Sequence, residues 1–451
     1  MRILLWHGYL LTGSGSNVYT ANVARTWRAG GHDVVVMCQE TLAGVLPYVD
    51  AEADMSPDNS TFTEYPTGAE PAAGRCRVVR PNIGTVLPVY VYDEYEGFEA
   101  KTFVDLSDDE LEDYVRRNVT AMVSVIRDHE PDVIITGHEV MGPYIARLAC
   151  EATGASYATK LHGSALEFAV KVQDRYRHYA YEGLVAAKRV VGGSNYMVAA
   201  ASSVVPGWES RAAVVNPGCD VEIFRPVERD PAFPPTAGFV GKLIRQKGIH
   251  HFLAALGATA TAGLRAVVVG YGGFEKELKA LAYTMQTGNG GAARRLAERE
   301  DLSLLAEFLA ARADEDYWAR ARSVPVEFPG RLEHGPLSTT LPAWDVLVVP
   351  SVVPEAFGMV AAEAAASGVL PVVPRHSGIG EAGAALEAEL DVPGLLTFDP
   401  DDPVNGIAER VDAILGLPRD ERRALELKAA AFAREQWSWE TVARRLLDAS
   451  S

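Results

Sequence analysis

Residues 343–373 read AWDVLVVPSVVPEAFGMVAAEAAASGVLPVV, and the pattern changes twice along them. An apolar run of strand length, Asp345–Val349, ends at a Pro-Ser pair. A helical segment then extends from Pro354 to Gly368, and a second apolar run follows at Val369–Val373. Two continuously apolar strands joined by a helix are typical of a parallel sheet that is covered on both faces. These residues therefore predict an α/β fold.

Similar apolar runs occur throughout the chain. They lie at Arg2–His7, Asp33–Met37, Asp132–Thr136, Ser156–Lys160, Arg189–Gly192 and Ala212–Val215, and again at Ala237–Val240 and Arg265–Val269. Between the two groups, the proline-rich segment Pro217–Pro235 shows no period, which is typical of a linker. The sequence therefore predicts two Rossmann-like, doubly wound parallel-sheet domains. We place them at 1–225 and 226–430, followed by a C-terminal helix at 431–451.

Three segments between the strands have distinct patterns. Asp108–Arg127 is periodic as a helix and begins with a capping box of Ser107 and Glu110. Thr41–Gly74 is rich in Asp, Ser, Pro and Gly, and we expect a long loop or a mobile insertion there. Gln286–Val324 is polar and helical with an internal glycine-rich break, which is typical of an insertion, and no chemical role follows from its residues.

Composition restricts the classes of partner. The 451 residues are 48% hydrophobic and 23% charged, as in a folded protein of two or three domains. Lys and Arg number 42 against 60 Asp and Glu, so the formal net charge is -18. Such a surface repels nucleic acid and anionic lipid, and we expect no nucleic-acid partner. An anionic ligand must therefore be held by a local cluster of cations and backbone N–H groups.

Neither the cysteines nor the N-terminus indicates secretion. Cys38, Cys76, Cys150 and Cys219 are scattered and form no CxxC pair, so we expect neither a zinc site nor disulfides. The opening residues MRILLWHGYLL read as a first strand rather than as a signal peptide. No apolar stretch reaches the roughly 18 to 20 residues that span a bilayer. We therefore expect a cytoplasmic protein with at most peripheral membrane contact.

A glycine-rich turn follows the first strand, where Gly13, Ser14, Gly15, Ser16 and Asn17 open the first helix. Backbone N–H groups at a helix N-terminus bind anions, and glycines let a ligand approach the main chain closely. The turn fits a phosphate or a sugar hydroxyl, although it lacks the Lys-Ser/Thr of a P-loop. A plain strand-to-helix turn explains the same residues equally well.

A cationic loop, GKLIRQKG at Gly241–Gly248, directly follows the first strand of the second half. Lys242, Arg245 and Lys247 lie there at the carboxyl end of a predicted parallel strand, where doubly wound sheets bind ligands. In an acidic chain, such a focus of positive charge is what a diphosphate needs. The alternative is a solvated loop with ordinary surface cations.

Two glutamates, Glu355 and Glu363, lie eight positions apart in the helix predicted after the strand Asp345–Val349. Eight helical residues rise about 12 Å, which is comparable to the distance between the sugar and the ribose across a diphosphate. Both carboxylates can therefore accept hydrogen bonds from hydroxyls of one nucleotide sugar. The N–H groups of Phe357, Gly358, Met359 and Val360 would then face its phosphates.

With these residues in view, the chain resembles glycosyltransferase family 4, a large retaining family with the GT-B fold. The resemblance covers nearly the whole second half, in FVGKLIRQKGIHHFLAAL, VVVGYGGFEKEL, VEFPGRL and the residues 343–373 quoted above. In the first half the similar segments are GSGSNVYTANVARTWRAGGHDVVVM, KLHGSALE and NPGCDVEIFRP. The Glu-x7-Glu spacing of Glu355 and Glu363 belongs to the same family pattern.

The resemblance implies a role for each matching residue. Glu355 would bind hydroxyls of the transferred sugar, Glu363 the ribose, and Lys247 the diphosphate. Lys242 stands where the family usually has arginine, so the charge is kept but the bidentate fork is lost. His162 matches a histidine near the donor sugar and the acceptor, although a buried core histidine is the alternative. The expected catalytic residues are thus His162, Glu355 and Lys247.

The family also implies which domain binds which substrate. The N-terminal domain would take the acceptor and the C-terminal domain the nucleotide sugar, with the last helix crossing back to the N-terminal domain. Closure of the cleft between them would exclude water and reduce hydrolysis of the donor. The remaining expected donor-binding residues are Gly13, Gly15, Phe357, Gly358, Met359, Val360, and Arg331 and Leu332 of the loop that meets the nucleobase.

We expect a reaction without metal or other cofactor. The acidic pairs Asp108–Asp109 and Asp401–Asp402 lie at apparent helix starts and are interpreted as helix caps rather than as a metal-binding Asp-x-Asp motif. Lysines and helix N-termini would instead stabilise the leaving diphosphate. The family further implies transfer of a hexose-type sugar with retention of the anomeric configuration.

Several alternatives remain open. Another GT-B enzyme, such as a nucleotide-sugar epimerase or a pyridoxal-phosphate phosphorylase, fits the same scaffold, and so does an inactive nucleotide-sugar-binding protein. The nucleotide is open among uridine, guanosine and adenosine, and the acceptor among small molecules, glycans and lipid-linked sugars. A homo-oligomer is possible. Four aromatics fit either stacking on a sugar ring or packing under a loop, namely Tyr90, Tyr92, Tyr95 and Phe98.

Overall fold

The structure is a computed structural model that describes residues 1–13, 15–92, 97–230 and 232–451. Ser14 of the glycine-rich turn, Tyr95 in residues 93–96 of the aromatic segment, and Pro231 of the linker lie outside the described residues. The chain folds as two compact units, 1–217 with 439–451, and 218–438. Unit 1 therefore ends eight residues before the bound placed at 225, and the chain returns to it at 439 rather than at 431.

Unit 1 contains a nine-stranded sheet and a separate two-stranded sheet over the described residues. Its strands are β1 (Arg2–Trp6), β2 (Asp33–Met37), β3 (Ala51–Met55), β4 (Phe62–Pro66), β5 (Arg75–Arg80), β6 (Val86–Val89), β7 (Glu99–Thr102), β8 (Val133–Gly137), β9 (Ala158–Lys160), β10 (Arg189–Gly192) and β11 (Ala212–Val214). The large sheet has the order β11-β10-β9-β8-β1-β2-β5-β3-β4, and among its described strand pairs only β3–β4 is antiparallel. The predicted parallel sheet is confirmed.

Unit 2 contains a six-stranded sheet over the described residues, and all its strand pairs are parallel. Its strands are β12 (Thr236–Val240), β13 (Arg265–Val269), β14 (Val326–Gly330), β15 (Val346–Val348), β16 (Leu370–Pro374) and β17 (Thr397–Phe398). The order β14-β13-β12-β15-β16-β17 reverses direction between β12 and β15. The carboxyl ends of these two strands therefore flank the crevice where doubly wound sheets bind ligands.

Helices cover both sheets. In chain order they are α1 (Gly15–Ala29), α2 (Asp108–His129), α3 (Gly142–Thr153), α4 (Asp174–Ala186), α5 (Asn195–Val204), α6 (Ile249–Ala258), α7 (Glu275–Thr287), α8 (Gly290–Arg299), α9 (Ser303–Ala311), α10 (Glu315–Ser323), α11 (His334–Thr340), α12 (Met359–Ala366), α13 (Ser377–Leu390), α14 (Pro403–Leu415), α15 (Arg419–Trp437) and α16 (Trp439–Ser450). The capping box of α2 is present with both of its hydrogen bonds. The helical conformation predicted for Gln286–Val324, with a break between α7 and α8, is confirmed.

The expected loop at Thr41–Gly74 is wrong. The segment contains the β3–β4 hairpin, which extends the large sheet at its edge. In β3 the apolar residues Ala51, Ala53 and Met55 alternate inward, a period-2 pattern that its small side chains disguise. Its outward Glu52 and Asp54 form ion pairs with Arg80 of the neighbouring strand β5.

The last helix of the chain packs in unit 1. Between α15 and α16 the helical conformation stops at Ser438, and Trp439 begins the new helix. The indole of Trp27 in α1 donates a hydrogen bond to the carbonyl of Ala443 in α16, at 3.0 Å. This contact ties the two ends of the chain to one core. Among the described helices we find no candidate for a membrane-spanning segment.

Candidate functional site

Two loops meet at the carboxyl edge of the unit 2 sheet. One follows β12 and contains Gln246 and Gly248, and the other follows β15 and begins with Pro350. The N–H of Val352 donates to the carbonyl of Gln246 at 3.0 Å. Gly248 has φ +66°, and a Cβ placed there would lie 1.9 Å from the Pro350 carbonyl oxygen. Glycine at 248 is therefore what lets the loops dock.

The docked loops bring Lys247 and Glu355 together. The Lys247 ammonium lies 2.8 Å from Oε1 of Glu355, and the Ser351 hydroxyl donates to the same oxygen. Glu355 is mostly buried and Lys247 is less so. Both contacts fall on Oε1, so the other oxygen of Glu355 and the remaining ammonium protons of Lys247 are available to a ligand within the described surroundings. The structure thus brings Glu355 and Lys247, which were each assigned to the donor, into direct contact.

A third segment holds the backbone of Glu355 in place. The Glu355 N–H donates to the Ser377 hydroxyl at 3.0 Å, and the Gly378 N–H donates to the Glu355 carbonyl at 2.9 Å. His376 links the segments, because its Nδ1 lies 3.0 Å from Ser377 Oγ and its Nε2 3.1 Å from the Ser351 carbonyl oxygen. His376 and Ser377 were not predicted from the sequence, where their position after the strand β16 is the signal that could have indicated them.

The helix predicted to carry both glutamates begins later than expected. Helix α12 starts at Met359, so Glu355 lies in the preceding loop and only Glu363 is helical. The cause is Gly358, which has φ +87° and caps the helix in a left-handed conformation. A Cβ on Gly358 would lie 2.8 Å from the Ile379 side chain. The two glutamates therefore do not share one helix, and the separation predicted for them from the helical rise is wrong.

Glu363 is buried and contacts a histidine. Its Oε1 lies 3.4 Å from Nε2 of His334, the first residue of α11. The His334 ring is half-exposed and packs edge-on against Phe224, with ring centroids 5.9 Å apart. Glu363 raises the pKa of His334, and burial of the ring acts in the opposite direction. Sequence reasoning assigned Glu363 but missed its partner.

The loop after β14 places Arg331 on an aromatic ring. The Arg331 guanidinium lies 5.0 Å from the ring centroid of Tyr271, and its Nε lies 2.8 Å from a carboxylate oxygen of Glu333. Tyr271 follows β13, and the Gly270 N–H donates to the Gly330 carbonyl at 2.9 Å. Leu332 packs partly against the core of unit 2. Arg331 and Tyr271 thus form a half-exposed flat surface beside the crevice.

The three cations of the loop after β12 have different surroundings. Arg245 is held by Glu300, which follows α8 in the insertion, and its guanidinium lies 5.2 Å from the Phe274 ring centroid. Lys247 faces Glu355, and Lys242 is exposed. The insertion therefore contacts the cationic loop directly, which its sequence did not indicate.

At the start of α12, the main chain rather than the side chains is placed to contact an anionic ligand. Phe357 is buried and packs against Trp437, with ring centroids 5.4 Å apart. Met359 and Val360 are half-buried against the same core. Their side chains are consequently used in packing, and only the backbone N–H groups at this helix start remain suited to an anion.

In unit 1, His162 lies among aromatic rings at the carboxyl ends of three adjacent strands. Its ring centroid is 4.8 Å from that of His138, 5.3 Å from that of Tyr19 and 6.5 Å from that of His7. These residues follow or face β8, β9 and β1. Burial lowers the pKa values of His162 and His138 well below the usual range, and that of His7 to about 4. The histidines are therefore neutral at physiological pH.

A buried carboxyl and a buried amine lie behind His162, and the sequence analysis missed both. Glu139 accepts the N–H of Gly163 at 2.8 Å, and burial raises its pKa. Lys160 donates to the Val215 carbonyl at 2.9 Å, and burial lowers its pKa to about 7, against the attraction of Glu139. The sequence signal that could have indicated Glu139 and Lys160 is a polar residue at the carboxyl end of a buried strand.

The glycine-rich turn is only partly suited to a ligand. Gly13 has φ +95° and an added Cβ would meet no atom within 4 Å, so the main chain there is open. Gly15 begins α1 and is exposed. Asn17 is instead buried, with its side chain hydrogen-bonded to His7 Nε2 at 2.8 Å. The turn thus offers backbone at Gly13 and Gly15, while Asn17 orients His7.

The remaining aromatic candidates differ in exposure. Tyr90 is buried, donates to the Val140 carbonyl and stacks on Phe103, with ring centroids 4.8 Å apart, which confirms packing for this residue. Tyr92 is exposed and Phe98 is half-buried.

The acidic pairs lie at helix starts. Asp108 and Asp109 occupy the first turn of α2 behind the cap Ser107, and Asp402 is the cap residue of α14. In the described part of the chain, no three His, Cys, Asp or Glu side chains form a cluster suited to a metal ion. All four cysteines are buried and free.

Comparisons with known proteins agree with this architecture. Residues 14–218 match the family model of the glycosyl transferase 4-like domain, and residues 291–416 match that of glycosyl transferases group 1. Among curated proteins, no sequence matches the chain.

Solved structures share the fold over almost the whole chain. Sucrose-phosphate synthase from Thermosynechococcus elongatus is 18% identical and covers 99% of this chain and 98% of its own, with a TM-score of 0.62. HepE of Anabaena in complex with UDP is 15% identical and covers 99% of each chain, with a TM-score of 0.63. A glycosyltransferase from Rickettsia africae is also 15% identical, covering 99% of this chain and 97% of its own, with a TM-score of 0.62. At these identities the likeness concerns the fold, and the family models identify the class. The chain therefore belongs to the family 4-like glycosyltransferases, enzymes with the GT-B fold that act on nucleotide sugars.

Proposed function

We propose that this enzyme transfers a hexose from a nucleotide diphosphate sugar to a hydroxyl acceptor, without metal and with retention of the anomeric configuration. The observation that carries the proposal is the contact of Lys247 with Glu355 on docked loops at the carboxyl edge of unit 2. A cation for phosphate and a carboxylate for hydroxyls lie within 2.8 Å of each other there. One ligand that presents both groups in adjacent positions is a sugar diphosphate.

The positive charge serves the leaving group. When the bond between C1 of the sugar and the phosphate oxygen breaks, its electron pair goes to the phosphate, and the enzyme must stabilise that charge. Lys247 would supply ammonium N–H groups, with further charge from Lys242 and backbone N–H groups at the start of α12. Glu355 would accept hydroxyls of the sugar and thereby orient C1, and Glu363 would bind the ribose.

Retention follows from attack on the face that the leaving group departs from. The acceptor oxygen forms its bond to C1 on that face, and the acceptor proton passes to the departing phosphate oxygen. This route needs no protein base, which suits a unit 1 cluster of neutral histidines. His162 would then act as a neutral hydrogen-bonding group toward sugar hydroxyls, since an imidazolium is disfavoured at this buried position.

Structural neighbours support a hexose donor. HepE of Anabaena has been solved in complex with UDP-glucose, at 15% identity and a TM-score of 0.59 to this chain. A lipopolysaccharide outer core galactosyltransferase is 13% identical, with a TM-score of 0.58. The first was solved with a glucose donor and the second is named for galactosyl transfer, and we extend a hexose donor to the present chain as part of the proposal. The acceptor and the predicted cytoplasmic location stay predictions.

The first experiment is a thermal-shift screen of UDP-, GDP- and ADP-sugars, because a ligand stabilises only the protein that it binds. The stabilising donor is then incubated with a panel of acceptors, and NMR of the product reports the anomeric configuration. A product with the opposite configuration from the donor would refute retention. Activity that is lost in EDTA and restored by a divalent cation would refute metal independence.

Two outcomes would favour the alternatives that the sequence left open. Donor binding without transfer to any acceptor, in a protein that also fails to hydrolyse the donor, would indicate a binding protein. Conversion of the nucleotide sugar to its epimer without acceptor would indicate an epimerase. The family models favour the transferase over both.

A further inference from the structure

His334 occupies a position that the proposed function has not used. Its Nε2 lies 3.4 Å from Oε1 of Glu363, the carboxylate that we assign to the ribose. The contact joins two elements, since His334 begins α11 and Glu363 lies in α12. Phe224 packs edge-on against the imidazole and limits its rotation. Half of the histidine side chain is exposed, whereas the Glu363 side chain is 9% exposed.

The charged groups around this histidine are mostly acidic. Glu363 raises the pKa of His334 most among them, and Glu333 and Asp220 add to the effect. Burial raises the pKa of the Cys219 thiol and Glu363 adds to the rise, whereas Arg434 lowers this pKa. Because these carboxylates raise the pKa of His334, the ring keeps its proton to a higher pH than an ordinary histidine does. Its charge change takes place beside the Glu363 carboxylate.

We propose that His334 is a positioning residue whose protonated ring orients Glu363 for the ribose, so that donor binding weakens as the pH rises through neutrality. This inference rests on the proposed function. An imidazolium holds Oε1 by a charge-assisted hydrogen bond and leaves Oε2 to accept the ribose hydroxyls. Loss of the proton removes one positive charge beside an anionic donor and leaves at most a weaker, neutral hydrogen bond to Oε1. The charge-assisted contact is therefore present below the raised pKa of His334 and weakens as the pH rises through it.

Isothermal titration calorimetry tests the inference with UDP-glucose, GDP-mannose and ADP-glucose. Intact nucleotide sugars are required because their phosphates lack the second ionisation near pH 6 that a terminal phosphate has. For the donor that binds, we expect Kd to rise about threefold to fivefold between about pH 6 and pH 8, as for a half-exposed ion pair. Any such change must then come from the protein.

Two substitutions separate charge from structure. His334→Gln is expected to bind weakly at both pH values, and His334→Lys, which keeps a positive charge, to bind tightly at both. His178→Gln is the matched control, because His178 forms an equivalent contact with Glu182, at 3.0 Å, within unit 1. This control should keep the pH dependence of the wild type. A folding defect in one variant would be visible in its melting temperature and would leave the other variant informative.

NMR titration of the His334 ring gives a reading that does not need a donor. The pKa of His334 should fall in Glu363→Gln relative to the wild type. An unchanged pKa, or a His334→Gln variant that keeps the pH dependence of donor binding, would overturn the role of His334 while leaving the proposed function intact. If the wild type binds none of the three nucleotide sugars, both the proposed function and this inference fail.

Discussion

Replacing Gly248 with alanine should separate the two loops that form the unit 2 site. The added Cβ would lie 1.9 Å from the carbonyl oxygen of Pro350, where a relaxed contact needs more than 3 Å, so the loops must move apart by about 1 Å. Gly263 provides the matched control. It has almost the same backbone angle, φ +70° against +66°, but an added Cβ there meets no atom within 4 Å.

The two glycines allow the collision to be separated from the backbone strain. A side chain in the left-handed region costs about 1 kcal/mol, which both variants share. Only Gly248→Ala adds the collision and weakens the 3.0 Å hydrogen bond from Val352 N–H to the Gln246 carbonyl, worth about 1 kcal/mol. We therefore expect a loss of about 3 kcal/mol in unfolding free energy for Gly248→Ala and about 1 kcal/mol for Gly263→Ala.

Urea unfolding and donor kinetics measure the two consequences. Because a displacement of about 1 Å in a catalytic group costs on the order of a hundredfold, kcat/KM for the donor should fall by about that factor in Gly248→Ala. In Gly263→Ala it should stay within about twofold, as expected for a distant surface site. Equal stability losses in the two variants, or wild-type kinetics in Gly248→Ala, would refute the docking argument.

Three other predictions concern charges. Glu355→Gln and Lys247→Gln should each lower kcat by about a hundredfold. Because the two side chains are in contact, the double variant should lose less activity than the sum of the two single effects on the free-energy scale. Additive effects would contradict the coupling of the two residues. Glu426 is buried among three arginines of unit 2. The substitution Glu426→Ala should therefore lower the unfolding free energy of the protein by about 3 kcal/mol. Urea unfolding measures this loss, with Glu435→Ala as an exposed control. The unfolding free energy should fall on acidification from about pH 6.5 to pH 4, because His7 binds a proton in the unfolded chain but stays neutral in the folded protein. A His7→Asn variant whose unfolding free energy falls as much as that of the wild type over this pH range would contradict the role of His7.

The fold was predictable where a pattern repeats over several residues. Continuous apolar runs indicated parallel strands, because every position of a strand such as β8 is buried from both faces. The capping box of Ser107 and Glu110 predicted the first residue of α2 correctly, because both hydrogen bonds of the box join residues that are close in sequence. The β3 strand was missed because alanines at its inward positions give a weak signal.

The candidate site was predictable in its residues but not in its geometry. Glu355 and Lys247 were identified, yet Glu355 was placed in a helix that starts four residues later, at Met359. The left-handed angle of Gly358 depends on its packing against Ile379, a residue of α13 that no local pattern connects to it. Glu139 and His334 were missed for the same reason, because their partners Gly163 and Glu363 are distant in sequence.

The pairing of cations with carboxylates bears on how the donor is held. In the loop after β12, Arg245 is bound by Glu300 of the insertion and Lys247 by Glu355, so part of the positive charge is neutralised before any donor arrives. Within the proposed function, a diphosphate binds the remaining ammonium protons of Lys247 while the sugar hydroxyls donate to the other oxygen of Glu355. Phosphate binding and sugar binding are then coupled through one contact. A nucleoside diphosphate alone would leave the other oxygen of Glu355 without a sugar hydroxyl, which is a physical reason for the site to favour the intact nucleotide sugar.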